Sequence, residues 1–260
     1  MCLILFAWQC RPDLPLVLLA NRDEYLDRPA VPAAPWAGQP TVVAGRDLVA
    51  GGTWCGAGRD GRWAAVTNIR EGERTPSGSP SRGWLVRDFL LGDEAPEAFI
   101  ERRTPFAAYA GFNLLLGNST GIWYICNREP APVQLPPGLY GLSNGRLDSP
   151  WPKVVKGKAA LGLLLQTAAL DIEAGFRLLT DTAPAPDDEL PATGVTLAWE
   201  RALSATFIEA PDHAYGTRSA TLHLRSAAGN CVLAERSFAG SPVRWSQRSY
   251  RWRLIAGLEL

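Results

Sequence analysis

Residues 1–8 read MCLILFAW and residues 16–24 read LVLLANRDE. Each opens as an unbroken apolar run of strand length, the pattern of a fully buried strand rather than of an amphipathic helix. Between them, Arg11-Pro12-Asp13 has the chemistry of a turn. The two runs predict a buried β-hairpin over 2–8 and 16–21, with the second strand closing in the polar tetrapeptide Asn21-Arg22-Asp23-Glu24. Antiparallel pairing returns the end of the second strand to the start of the first, so this tetrapeptide is expected beside Cys2.

Outward from the hairpin, the first half continues β-rich. Residues 28–40 carry Pro29, Pro32, Pro35 and Pro40 and predict an ordered but irregular arm. Strands are predicted over 52–57 and 62–68, around the turn Arg59-Asp60-Gly61. The polar stretch 71–80 (EGERTPSGSP) is the loop expected to move most. After Ser81, the residues Trp84, Leu85, Asp88 and Phe89 recur at helical spacing, with Gly92 as the stop. A short helix over 95–103 follows, then strands over 111–117 and 121–126. Helices are predicted over 153–168 and 171–180, a surface loop over 182–193, and strands over 203–209, 217–225, 230–238 and 244–254. Helices segregated from mostly antiparallel strands indicate an α+β layered fold, with two sheets between helix layers as one arrangement. Neither half closes a core alone. Strands from both termini are therefore expected in one sheet, and residues 1–260 in one domain.

Composition narrows the function classes. Apolar residues at 47% and charged residues at 20% exclude disorder. The balance of 26 basic against 26 acidic side chains excludes a general binder of nucleic acid or other polyanions. Only Lys153, Lys156 and Lys158 are lysines; the other 23 cations are arginine. No apolar run approaches the roughly 18 residues of a transmembrane helix. The opening also lacks the basic flank and cleavage site of a secretory signal. The five scattered cysteines include no CxxC pair and no zinc spacing, which fits a reduced, cytoplasmic protein. With His213 and His223 as the only histidines, the sequence offers little to a zinc hydrolase or a histidine-based triad.

Cys2 is the sharpest chemical feature. Methionine is usually removed before a small second residue, which would leave Cys2 as the mature N-terminus. Its α-amine, with an ordinary pKa of about 7.7–8.0, would then be a base beside its own thiol. One residue can thus supply nucleophile and base without histidine. The alternative is a small apolar residue opening a buried strand, with Met1 retained. Arg22 could hold the sulfur as thiolate, and Asp23 could orient the amine; in isolation, Asn21–Glu24 is a solvated turn. Asn68 and Asn144 close strand-like runs and could donate to a developing oxyanion, or simply form turns. Arg218 stands at the mouth of another strand-like run. Gly51-Gly52 suggests close backbone approach, and Trp54, Trp63, Trp84 and Trp151 could line an apolar pocket or fill the core.

These segments occur in a telling order. An MC-apolar start, NRDE at 21–24, GGTW at 51–54, TN at 67–68, YGLSN at 140–144 with SPW at 149–151, and YGTRS at 215–219 together resemble the NRDE family, also called the transport and Golgi organisation protein 2 family. The resemblance spans nearly the whole chain. It implies a four-layer αββα fold like that of N-terminal-nucleophile hydrolases, distantly similar to penicillin V acylases and bile-salt hydrolases. Carried over by position, the candidate site residues are Cys2, Arg22, Asp23, Asn68, Asn144 and Arg218. Those hydrolases carry Arg-Asn-x-Asp on the second strand, whereas this chain reads Asn21-Arg22-Asp23, so either Arg22 or Asp23 matches cleanly, but not both. The reaction implied is hydrolysis of a C–N amide bond of a small acylated substrate, with no cofactor required. The family is also associated with haem trafficking and with lipid or acyl-CoA homeostasis. The alternative is therefore a non-catalytic carrier whose pocket holds an amphiphilic acyl or haem-like ligand.

Overall fold

Side-chain parity along the first strand sets up the layering. In the computed structural model, which describes residues 2–71, 78–240 and 243–254, β1 (Cys2–Trp8) buries Leu3, Leu5 and Ala7 on one face and Ile4, Phe6 and Trp8 on the other. β2 (Leu16–Tyr25) does the same, with Leu16, Leu18 and Ala20 on one face and Val17 and Leu19 on the other. A strand alternates its side chains, so it stays apolar throughout only when both faces are covered.

The chain continues through β3 (Ala30–Trp36), β4 (Gln39–Asp47), β5 (Cys55–Gly58), β6 (Trp63–Asn68), α1 (Gly83–Leu91), α2 (Pro96–Arg103), β7 (Phe112–Gly117), β8 (Ile122–Cys126), β9 (Val133–Gln134) and β10 (Gly138–Leu142). It ends with α3 (Pro152–Leu165), α4 (Ile172–Leu179), α5 (Leu197–Ser204), β11 (Glu209–Ala210), β12 (Tyr215–Arg225), β13 (Asn230–Ala239) and β14 (Arg244–Arg253). One antiparallel sheet has the order β10-β1-β2-β12-β13-β14, with β11 beside β12; the other runs β3-β4-β5-β6-β7-β8-β9. Strands from both termini share the first sheet, as expected. The inner faces of the two sheets pack together through Phe6, Leu18, Trp63 and Leu115. α1 and α2 cover the outer face of the second sheet through Leu85, Phe89 and Phe99. α3 and α4 cover that of the first through Val154, Leu161 and Phe176. The layers are αββα.

Two predicted elements differ. The expected irregular arm at 28–40 contains the strand β3, paired with β4. β3 is an edge strand whose register shifts between Val31 and Ala34 and between Pro35 and Trp36. Edges and bulges are where a sheet accepts proline, because the missing N–H deprives no partner. The expected strand over 203–209 begins as the end of α5, which Thr196 caps by accepting from the Trp199 N–H, and only Glu209–Ala210 is extended into a pair. Of the loop 71–80, residues 72–77 lie outside the described residues, as does Met1. No helix among the described residues is long and apolar enough to cross a membrane.

Candidate functional site

Cys2 and Arg22 are direct partners in the β1–β2 ladder. Both have the parity of the inner face, so their side chains stand next to each other at one end of the gap between the sheets. That end opens into a cleft of about 380 Å³ lined by Cys2, Arg22, Trp54, Asn68, Arg82 and Trp84, among others. Its wall is the Gly51–Trp54 loop packed on the start of α1, where the Thr53 N–H donates to the Gly83 carbonyl at 3.1 Å. A Cβ on Gly52 would lie 2.6 Å from the Gly83 carbonyl carbon, so this approach requires glycine. The Arg22 guanidinium stacks on Trp54 at 4.3 Å and lies 3.7 and 3.8 Å from Glu24 and Asp47. Its Nη1 is buried and makes no hydrogen bond among the described residues.

A network tying the two sheets together holds Cys2. The Cys2 backbone nitrogen donates to Asn144 Oδ1 at 3.3 Å, and Ser143 Oγ donates to the Cys2 carbonyl at 2.9 Å. Asn144 Nδ2 donates to the Asn68 carbonyl at 2.7 Å, and Thr67 Oγ1 to the Ser143 carbonyl at 2.7 Å. Behind them, Asn113 donates to Thr67 Oγ1 and to the Gly145 carbonyl. Asn144 thus accepts at Oδ1 and donates from Nδ2 within this network and does not line the cleft, while Asn68 does.

Asp23 has the opposite parity and faces the α3–α4 layer. Thr217 Oγ1 donates to its Oδ1 at 2.7 Å, and the Tyr215 hydroxyl donates to its carbonyl at 2.8 Å. Lys153, in the first turn of α3, brings its Nζ to 4.0 Å from Asp23 Oδ2, both side chains being buried. Burial raises the Asp23 carboxyl above its ordinary range, with Lys153 opposing, and lowers the Lys153 ammonium, with Asp23 opposing.

Burial likewise pushes the Cys2 thiol up, and outweighs the opposing pull of the N-terminal amine and of Arg22. The expectation that Arg22 holds the sulfur as thiolate is therefore corrected. Desolvation works against the thiolate and exceeds the pull of Arg22.

Arg218 does not line the Cys2 cleft. It falls at the β-bulge between Thr217 and Ser219, which turns it away from its strand neighbours. Its Nη1 donates to the carbonyls of Tyr25, Leu26 and Arg28 at 2.8, 2.8 and 3.1 Å. It borders a separate void of about 250 Å³ shared with Arg22 and Trp54. Of the four tryptophans, Trp54 and Trp84 line the cleft, whereas Trp63 is core and Trp151 lies under Arg70 at 4.9 Å. Neither histidine lines the cleft: His223 is buried in β12, and the His213 ring packs at a tilt on Trp199 with centroids 4.2 Å apart. Sequence reasoning missed Arg82, Ser143, Thr217 and Lys153. Ser143 and Thr217 lay inside the motifs YGLSN and YGTRS, and Lys153 left a signal of its own, as a lysine in an arginine-dominated chain opening a helix whose N-terminus disfavours a cation.

Fold and cleft define a class: αββα proteins with a cysteine at the start of a central strand, under an arginine-bearing cleft. The sequence profile of the Transport and Golgi organisation 2 family matches residues 1–240, and the chain belongs to that family. The Bos taurus Transport and Golgi organization protein 2 homolog is 35% identical, covering 98% of this chain and 99% of its own. The Homo sapiens homolog is 32% identical with the same coverage. Among solved structures, a Caenorhabditis elegans N-acylethanolamine-hydrolyzing acid amidase ortholog overlays 85% of this chain and 92% of its own, at 9% identity and a TM-score of 0.48.

Proposed function

We propose that the protein is an N-terminal-cysteine amidohydrolase acting on a small acylated amide. The observation that carries this reading is the Cys2 backbone nitrogen, oriented by Asn144 Oδ1 at 3.3 Å at the mouth of the cleft. Once Met1 is removed, that nitrogen is a free amine, held where it can take the proton of its own thiol. A thiol whose pKa is raised by burial needs such a base. Sγ would then bond to the substrate carbonyl carbon while the thiol proton passes to the α-amine. The tetrahedral oxygen would take a hydrogen bond from the Asn68 side-chain amide, since Asn68 lines the cleft and Asn144 does not. The α-ammonium would return the proton to the leaving nitrogen as the C–N bond breaks. Water, deprotonated by the same amine, would cleave the thioester and restore the thiol. Intact-mass measurement tests the first requirement: the native protein should be lighter by one methionine, and a retained Met1 would remove the base and end this reading.

A second reading, carriage of an amphiphilic anion, is favoured by the unengaged Nη1 of Arg22 beside Trp54. An acyl carboxylate suits that donor. Among the described residues that line the cleft, haem finds no imidazole, and the Cys2 sulfur is the one soft ligand for its iron. Under either reading, Arg22→Ala should weaken an anionic acyl ligand by about 1.5–3 kcal/mol, the range for a hydrogen bond to a charged group. Arg218→Ala should leave affinity nearly unchanged, because that guanidinium is spent on backbone carbonyls. Titration of tryptophan fluorescence with a fatty acid reads both, and equal losses would contradict the assignment.

A further inference from the structure

Strand register lays a single row of side chains across five strands of the first sheet. Cys2 pairs with Arg22, Arg22 with Ser219, Ser219 with Ser237, and Ser237 with Ser246. Direct partners in an antiparallel ladder share a face, so the row runs from Cys2 along the inner face to the edge strand β14. The Arg22–Trp54 stack divides the space above it. Both residues line the Cys2 cleft and also the void of about 250 Å³, whereas Ser219, Ser237 and Ser246 line the void and not the cleft. Two atoms of this row stand out. Arg22 Nη1 and Ser219 Oγ are buried, belong to residues bordering the void, and make no hydrogen bond among the described residues. Buried polar atoms of folded proteins nearly always have a partner. Two neighbouring ones beside a single void indicate an acceptor that arrives from outside.

We propose that this void is a ligand subsite for the carboxylate of a short-chain monocarboxylic acid, which accepts from Arg22 Nη1 and Ser219 Oγ. This rests on the reading of Arg22 above as donor to an acyl carboxylate; it adds the place of that carboxylate and makes Ser219 its second donor. Charge favours the void over the cleft. Arg22 Nη2 lies 3.7 and 3.8 Å from Glu24 and Asp47, which line the cleft and not the void. An anion on the cleft side would meet both carboxylates, whereas Glu235 is the one carboxyl among the described residues that line the void. Its oxygens are engaged: the Ala33 N–H donates at 2.6 Å, and the Thr221 and Ser237 hydroxyls at 3.3 Å each. A second negative charge on the ligand would add repulsion from Glu235, which selects a monocarboxylate over a phosphate or a dicarboxylate. Arg218 also borders the void, but its Nη1 is held by backbone carbonyls, so the donors are Arg22 and Ser219. Val31, Pro32 and Phe238 add apolar wall for a short tail, and the exposed Val31, Ala239 and Ser246 give the void a rim on solvent.

Calorimetric titration of the full chain with hexanoate near neutral pH reads this site without turnover. Hexanoate should bind saturably, and hexanamide, its neutral counterpart, about tenfold or more weakly. Ser219→Ala should weaken hexanoate by about tenfold or more, the loss that goes with one hydrogen bond to a charged group. Ser219→Thr keeps the hydroxyl and should stay within a few-fold of the parent. Ser246→Phe fills the void from its exposed rim and should weaken hexanoate at least as much as Ser219→Ala; it carries the test if Ser219→Ala does not fold. Equal affinity for hexanamide overturns the proposal, as does hexanoate binding that neither Ser219→Ala nor Ser246→Phe moves. If Arg22→Ala alone weakens it, the acyl anion sits in the cleft: the reading of Arg22 stands and the void subsite falls. No saturable binding to the parent overturns both, with water as the void's occupant. Turnover of amide probes that is lost in Cys2→Ala would survive any of these failures, so the amidohydrolase reading is judged separately.

Discussion

Replacing Cys2 with alanine should lower turnover of N-acyl amide probes by about 10⁴-fold or more, because both nucleophilic attack and the thioester intermediate are lost with the sulfur. The fold should barely respond. Cys2 is half-buried at the end of β1, and removing one sulfur there costs about 1 kcal/mol. Loss of activity with an unchanged unfolding transition would therefore locate the chemistry at Sγ. The backbone nitrogen and its bond to Asn144 survive in the variant, so the effect isolates the thiol from the amine. A carrier would behave differently: Cys2→Ala should leave fatty-acid affinity within a few-fold, since Arg22 and Trp54 remain. Wild-type turnover that persists in Cys2→Ala would rule out the amidohydrolase mechanism. A protein that binds acyl anions tightly and turns over no amide would leave carriage as the function.

Acidification should destabilise the fold by about 3 kcal/mol through His223 alone. The ring is buried in β12, its Nδ1–H donates to the Val232 carbonyl at 3.1 Å, and it stacks on Trp252 at 5.9 Å. Burial, with Arg225 adding to it, lowers its pKa to about 4. The unfolded chain titrates near 6.5, so between the two values the unfolded state binds the extra proton. This stabilising contribution is complete above about pH 6.5 and disappears as the pH falls through about 4. Asp23 and Glu235 act in the opposite sense, because burial raises both carboxyls and the native state then takes up protons first. The comparison that isolates the histidine is therefore urea unfolding of the parent and His223→Leu over pH 7.5 to 4. The variant should lack the histidine's share of the acid loss, even though it loses the Val232 bond at every pH. Parallel curves for the two proteins would show that His223 titrates as freely in the native state as in the unfolded one.

Both predictions turn on burial, and burial also separates what could be read in the sequence from what could not. The hairpin of β1 and β2, the helices over Gly83–Leu91 and Pro152–Leu165, and the late strands β12 and β13 follow from periodicity and turn chemistry, which are properties of neighbours in the chain. Ladder geometry alone places Cys2 opposite Arg22, because an antiparallel pair returns to its own start. The ordered motifs from the MC start to YGTRS carry the family, which the profile over 1–240 shows. Proline content alone misread 28–40, since whether a proline is tolerated depends on the strand lying at a sheet edge, and edges exist only once the sheet is assembled. Arg218 looked like a site residue from its motif, but a bulge beside it turns its guanidinium to the carbonyls of Tyr25, Leu26 and Arg28. The upward shift of the Cys2 thiol, the bond from the Cys2 nitrogen to Asn144, and the pairing of Lys153 with Asp23 across 130 positions were decided by tertiary structure alone. Sequence determines which groups are present and how they alternate. Desolvation and long-range charge pairing depend on which groups the closed layers exclude from water together, and no local pattern encodes that.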